Sequence, residues 1–196
     1  IILAAGQSRR MGRNKLLIEI EGGRSLIERA VDHALATRAD PVIVVTGHQA
    51  GEIAARLADR PVILVENPDY AQGLSTSLKR GLSAVPGEAD AALICLADMP
   101  GVGPQLIDRL IAGFDPGAGH EIILPMRNGK RGNPVLWGRR FFPDLHNISG
   151  DTGARHIIGA YPDYVLEIDA ADDGVLIDLD TPTALSAWQA ASVTAS

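Results

Sequence analysis

Short apolar runs rich in Ile, Val and Leu recur along the chain: "IILAA" at 1–5, "PVIVVT" at 41–46, "PVILVE" at 61–66, "AALICLA" at 91–97 and "EIILP" at 121–125. Each is nearly continuous rather than alternating, the pattern of strands covered on both faces. The intervening segments change to helical spacing. In "SLIERAVDHALATR", Leu26, Ala30, Val31, Ala34 and Leu35 fall on one face, and "GEIAARLADR", "GLSTSLKRGLSAV" and "PQLIDRLIAGF" read as further amphipathic helices. Strand and helix alternating at this pace build βαβ units. The expected fold class is therefore α/β, a three-layer αβα Rossmann-like arrangement on a mostly parallel central sheet. After residue 126 the pattern loosens. "KRGNPVLWG" reads as a loop and short strand, "RRFFPDLHNI" and "GDTGARHIIGAY" hold short helices, and "DYVLEI" and "GVLIDLD" are expected strands. "TPTALSAWQAA" closes the pattern as a helix, with Thr181 as N-cap and Pro182 in the first helical position.

Composition narrows this picture. The chain has 196 residues, 46% hydrophobic and 21% charged, and one core can serve up to roughly 250 residues. A single domain over 1–190 is expected, with 191–196 as a flexible tail. Aromatics are only 4%, so aliphatic side chains fill the core. Lys+Arg 18 against Asp+Glu 24 leaves a net charge of −6, which argues against a nucleic-acid partner. The basic residues gather locally at Arg9, Arg10, Arg13 and Lys15, either a small-anion site or a solvated charged turn. The one cysteine, Cys95, sits in an apolar run and reads as a buried free thiol, compatible with a reducing, cytoplasmic setting. No apolar stretch reaches the about 18–20 residues that span a bilayer, so no membrane partner is expected. The chain opens inside a strand, so residues before Ile1 are expected to exist.

In open α/β sheets ligands bind beyond the carboxyl ends of the strands, which selects the loops that carry chemistry. "LAAGQSRRMGRNK" (3–15) follows strand one. Gly6 allows a tight turn whose N–H groups face an anion, and Arg10 and Lys15 add charge. The spacing is neither a Walker A motif nor a dinucleotide fingerprint, and a basic turn is the plain alternative. Asp98 in "LADMP" can hold Mg²⁺ or form a turn. Asp178 and Asp180 in "LIDLDTP" are two apart, hence on one face of an extended segment. They can supply a second metal contact, or simply lead into the Thr181 cap. Asn67, Gly73, Ser75 and Ser77 in "NPDYAQGLSTSLKRG" lie where a helix starts, and Arg131, Asn133, Asp151 and Arg155 lie in the later, irregular loops. Either group can be ordinary loop chemistry. The five histidines lack metal spacing, and no G-x-S-x-G nucleophile turn occurs.

Taken in order, "LAAGQSRRMGRNK", "NPDYAQGLSTSLKRGL", "LADMP", "RGNPVLW", "GDTGAR" and "DLDTP" resemble the molybdenum cofactor cytidylyltransferase group of the MobA-like nucleotidyltransferases, over roughly residues 1–190. The resemblance implies a GT-A-like fold. It also implies transfer of CMP from CTP to molybdopterin or molybdenum cofactor, with Mg²⁺ and release of pyrophosphate. It places Leu3, Ala4, Ala5 and Gly6 at the base and ribose, with Ser8, Thr46, Asn67, Gly73, Ser75 and Ser77 also around the nucleotide. Arg10, Lys15 and Asp98 become the catalytic set, Arg10 and Lys15 on the triphosphate and Asp98 on Mg²⁺ with Asp178 or Asp180. Arg131, Gly132, Asn133, Asp151 and Arg155 would face the pterin. The guanylyl relatives carry glycine where this chain has Ala5, and the added methyl implies CTP over GTP. Three alternatives follow from the same resemblance: guanylyl transfer, another small-phosphate nucleotidyltransferase, or a maturation factor delivering cofactor to a molybdoenzyme of the xanthine dehydrogenase family. A nicotinamide dehydrogenase lacks its glycine fingerprint.

Overall fold

A computed structural model describes residues 1–8, 11–150 and 154–194. All five apolar runs form strands: β1 (Ile2–Ala4), β2 (Ile43–Thr46), β3 (Ile63–Glu66), β4 (Ala91–Leu96) and β5 (Ile122–Arg127). Three further strands follow, β6 (Lys130–Arg131), β7 (Val135–Gly138) and β8 (Val165–Asp169). They join in one sheet of order β3-β2-β1-β4-β7-β5-β6, with β8 paired to β5. The β3-β2-β1-β4 half is parallel. The sheet reverses where β7 runs antiparallel to both β4 and β5, while β8 is parallel to β5.

Among the described residues there are seven α-helices: α1 (Leu26–Leu35), α2 (Ala50–Arg56), α3 (Leu74–Ser83), α4 (Pro104–Ala112), α5 (Phe142–His146), α6 (Arg155–Ala160) and α7 (Pro182–Thr194). The two-residue period of the strands decides which helices each face meets. Ile2, Ala4 and Val44 pack with Ile27, Val31 and Ala34 of α1 and Ile53 of α2. Leu3 and Val45, one residue out of step, belong to the opposite core with Leu78 and Leu82 of α3 and Leu145 of α5. Helix α4 places Ile107 and Leu110 against Leu93, Ile123 and Leu136. The expected three layers are therefore present. Cys95 is a half-buried free thiol against the α1–α2 core. Among the described residues no helix is long and apolar enough to cross a membrane.

Two expectations need correction. Strand β3 is not buried on both faces: it forms the edge of the sheet, and Ile63 and Leu64 are exposed. "GVLIDLD" is not a strand. It begins as a 3-10 turn, Asp173–Leu176, and continues as an extended strap outside the sheet. The strap is held instead by backbone bonds, with Asn133 N donating to Val175 O at 3.0 Å and Leu179 N to Asp98 O at 3.0 Å. It crosses the loop after β4 so closely that a methyl on Gly101 would lie 2.6 Å from Gly174 Cα. Only a glycine at each position permits that crossing.

Thr181 does cap α7, its Oγ1 accepting from Ala184 N at 3.2 Å. This last helix reaches Thr194, while the tail expected at its end includes residues 195 and 196, which lie outside the described residues.

Candidate active site

Leu3 of β1 pairs with Leu96 of β4, so the loops that leave these two strands emerge side by side. In the first loop Ser8, at φ 51°, accepts a hydrogen bond from Lys15 N at 3.1 Å. Asn14 accepts from Leu16 N at 3.1 Å and starts a single 3-10 turn, Lys15–Leu17. These local bonds turn the Lys15 side chain inward, leaving it 10% exposed. Its Nζ donates to Asp98 Oδ2 at 2.5 Å and also to Asp180 Oδ1. Burial by itself lowers the Lys15 pKa, but the Asp98 charge and the bonds from both carboxylates outweigh it and hold the pKa above its ordinary value. The ammonium is thus a permanent charge in the physiological range.

Asp178 completes the group. Oxygens of Asp98, Asp178 and Asp180 all lie within 4.8 Å of one another. Three carboxylates against one ammonium leave a local charge of −3 + 1 = −2. A hard divalent cation, which takes oxygen ligands, fits that donor set and that charge.

Two cavities meet above these strand ends. One, of about 520 Å³, is lined by Ala5, Gly6, Ser8, Lys15, Gly73 and Ser77, and by the three aspartates. The other, of about 950 Å³, has an apolar floor of Ile94, Val135 and Trp137 and a polar rim that includes Lys130, Arg131, Asn133 and Arg155. Leu3, Leu74 and Leu96 line both. The smaller cavity suits a charged ligand, and the larger a flat apolar body with an anionic end.

The expected residues divide accordingly. Leu3, Ala5, Gly6, Ser8, Lys15, Gly73, Ser77, Asp98, Asp178 and Asp180 line the smaller cavity. Ser75, Arg131, Gly132, Asn133 and Arg155 line the larger. Ser75 therefore moves from the nucleotide side to the larger cavity. Three others, Ala4, Thr46 and Asn67, line neither cavity. Ala4 is turned into the α1–α2 core by the strand period, and Thr46 is buried on β2. Asn67 is fully buried and occupied: its Nδ2 donates to Thr76 Oγ1 at 2.8 Å and to Ser77 Oγ at 3.0 Å, and its Oδ1 accepts from Asp69 N at 3.0 Å. Asn67 positions the start of α3. Arg10 and Asp151 lie outside the described residues.

Sequence reasoning missed several lining residues. Gln7, Tyr70 and Ala71 border the smaller cavity, and Trp137, Met126 and Glu167 the larger. Glu167 accepts from Arg131 Nε at 2.7 Å. The ion pair crosses from β6 to β8 through β5, a topology that the chain order does not announce.

A basic loop and an acidic cluster thus stand together at the ends of adjacent strands in an α/β sheet, and similarity to known proteins makes the chain a nucleotidyltransferase. The chain belongs to the family of the MobA-like NTP transferase domain, whose model matches residues 1–165. It is 31% identical to a molybdenum cofactor cytidylyltransferase of Escherichia coli, covering 93% of this chain and 90% of that protein. It is also 30% identical to nicotine blue oxidoreductase of Paenarthrobacter nicotinovorans, over 92% and 91% of the two. Among solved structures, a nucleotidyl transferase of Methanothermobacter superposes with a TM-score of 0.85 at 25% identity, over 100% and 97% of the chains. A Mycobacterium tuberculosis protein in complex with manganese superposes at 0.79, also 25% identical, over 96% of each.

Proposed function

We propose that this nucleotidyltransferase moves CMP from CTP to the terminal phosphate of a molybdopterin-type acceptor, releasing pyrophosphate. The observation that carries the reading is Lys15 held between Asp98 and Asp180, with Asp178 beside them, where a polar cavity meets a larger apolar one. The triphosphate takes the Lys15 side, with Arg10 as a second cation. The pterin takes the apolar floor, and its phosphate approaches the α-phosphorus past Leu3, Leu74 and Leu96. A phosphate oxygen attacks phosphorus, the bond to the β-phosphate breaks, and pyrophosphate leaves.

This step needs position and charge neutralisation more than a strong base. Asp98, Asp178 and Asp180 would hold Mg²⁺, which supplies Lewis-acid neutralisation of phosphate charge when bound. Lys15 grips the phosphates as a point charge. Arg131, Asn133 and Arg155 face the acceptor, and Asp151 is assigned to the same substrate. The E. coli relative's name supports the cytidylyl reading, and the half-buried thiol of Cys95 suits a cytoplasmic enzyme. A reading as a redox enzyme, suggested by the oxidoreductase relative, finds no dinucleotide fingerprint in this sequence.

The test is pyrophosphate release from CTP, GTP and ATP, with and without a molybdopterin acceptor. The expected result is acceptor-dependent release, fastest with CTP. Equal or faster use of GTP overturns the cytidylyl assignment, and release independent of acceptor overturns the acceptor.

A further inference from the structure

The smaller cavity has a charged side, made by Lys15, Asp98, Asp178 and Asp180, and an uncharged side, made by Tyr70, Ala71, Gly73 and Leu74. A triphosphate claims the first, which leaves the second to the base. The uncharged side is built in an unusual way. Gly47 follows β2 without a left-handed φ, so backbone freedom does not explain the glycine. Space does. A methyl on Gly47 would lie 2.7 Å from Tyr70 Cβ, 2.9 Å from Tyr70 Cγ and 2.9 Å from Ala5 Cβ. Tyr70 is therefore seated directly on the Gly47 backbone, with the Ala5 methyl beside it. The seat is fixed from behind, because His48 N donates to Ala5 O at 3.3 Å and the His48 ring stands 6.0 Å from the Tyr70 ring.

We propose that Tyr70, seated on Gly47 and braced by Ala5, is the wall that limits the size of the base this enzyme accepts. The inference rests on the nucleotidyl-transfer reading and deepens it. It also changes the role of Ala5. That residue is only 4% exposed, and its methyl lies 2.9 Å from where a Gly47 methyl would stand, so it acts on the base through the seat of the ring. Tyr70 is half-buried on a short 3-10 turn, Tyr70–Gln72, so truncating it leaves the core intact.

The experiment compares kcat/KM for CTP and GTP, by pyrophosphate release, in Tyr70→Ala, Tyr70→Phe, Ala5→Gly and the Ala5→Gly/Tyr70→Ala double variant, with equilibrium binding of both nucleotides measured in parallel. Tyr70→Ala is expected to move the ratio toward GTP by at least about tenfold, the discrimination a shaped apolar pocket supplies. Tyr70→Phe keeps the ring and leaves the ratio unchanged. Ala5→Gly moves it in the same direction and adds nothing once Tyr70 is gone. The proposal is overturned if Tyr70→Ala leaves the ratio unchanged, or if Ala5→Gly exerts its full effect in the Tyr70→Ala background. A wild-type preference for GTP would instead sink the cytidylyl reading, since the wall is read from the change in ratio and not from its starting value.

Discussion

Lys15 occupies the place where positive charge is required in the acidic cluster, and it does so from a loop that local bonds hold in position. Ser8 and Asn14 fix the backbone on either side of the turn, so the ammonium arrives between Asp98 and Asp180 without a search. In the nucleotide-free state the lysine neutralises carboxylates that would otherwise repel one another. On the proposed reading a triphosphate would offer it more negative charge, and the carboxylates that it left would become available to a cation. Replacing Lys15 with Met should then have opposite effects on two measurements. Manganese binding to the nucleotide-free protein, followed by calorimetry, should tighten by about tenfold, a shift near 1.4 kcal/mol. Turnover should fall by at least about a hundredfold, as for loss of a phosphate-neutralising group. Weaker manganese binding in the variant would show that Lys15 organises the carboxylates rather than competing for them.

At the scale of the elements, the first helix and the strap after β8 show what sequence can and cannot reveal. Helix α1 was fully legible: Ser25 precedes the apolar stripe, Glu28 stands three residues on, and both close a capping box, with Ser25 N and Oγ donating to Glu28 Oε2 at 2.9 and 2.6 Å. Burial of the Glu28 carboxyl raises its pKa, but the Ser25 bonds and the nearby Arg60 and Arg56 charges outweigh this and hold it below the ordinary 4.5. A carboxyl depressed in the folded state adds stability above its unfolded pKa and loses it as pH falls through the folded value. Glu28→Gln should therefore cost about 1 kcal/mol near neutral pH. The difference from wild type should shrink as pH falls below 4.5 and vanish once pH has passed the lower folded-state pKa, when urea unfolding is compared across pH.

The strap was misread because "GVLIDLD" carries an apolar run like those of the strands, yet among the described residues it pairs with none of them. Its carboxylates were nevertheless placed on one face, since an extended backbone alternates side chains whether or not it is in a sheet. What holds it is the close crossing of Gly101 and Gly174, a contact between residues too far apart in sequence to be seen there. Gly101→Ala would push the strap off the loop that bears Asp98. It should lower turnover and manganese affinity together, each by about tenfold or more. Unchanged manganese affinity would show that the crossing serves packing alone.

Across the whole molecule, the parallel half of the sheet delivers the loops of Lys15 and Asp98, while the antiparallel half delivers Val135 and Trp137 of the larger cavity and leads into the strap that bears Asp178 and Asp180. The first half was legible because each of its strands carries an unbroken apolar run and a glycine-bearing loop. The second was only partly so, because β6 has only two residues and the reversal at β7 depends on tertiary pairing. Asn67 and Thr46 illustrate the same limit within the site. Polar residues near a strand end look like ligand contacts, while burial decides that they serve the fold. Trp137 shows the converse, an apolar residue of a short strand that the structure both buries and places on a cavity floor.

The account stands most directly on Asp98, which joins the loop after β4 to both Lys15 and the strap. The decisive measurement is the divalent-metal-dependent rate of pyrophosphate release from CTP, with a molybdopterin acceptor, in wild type and Asp98→Asn. Asparagine keeps the size of the side chain and removes its charge. The account predicts a fall of at least about a hundredfold with little change in the thermal midpoint. A variant that keeps its metal-dependent rate would contradict it, and would make Asp98 a residue of the turn rather than of the reaction.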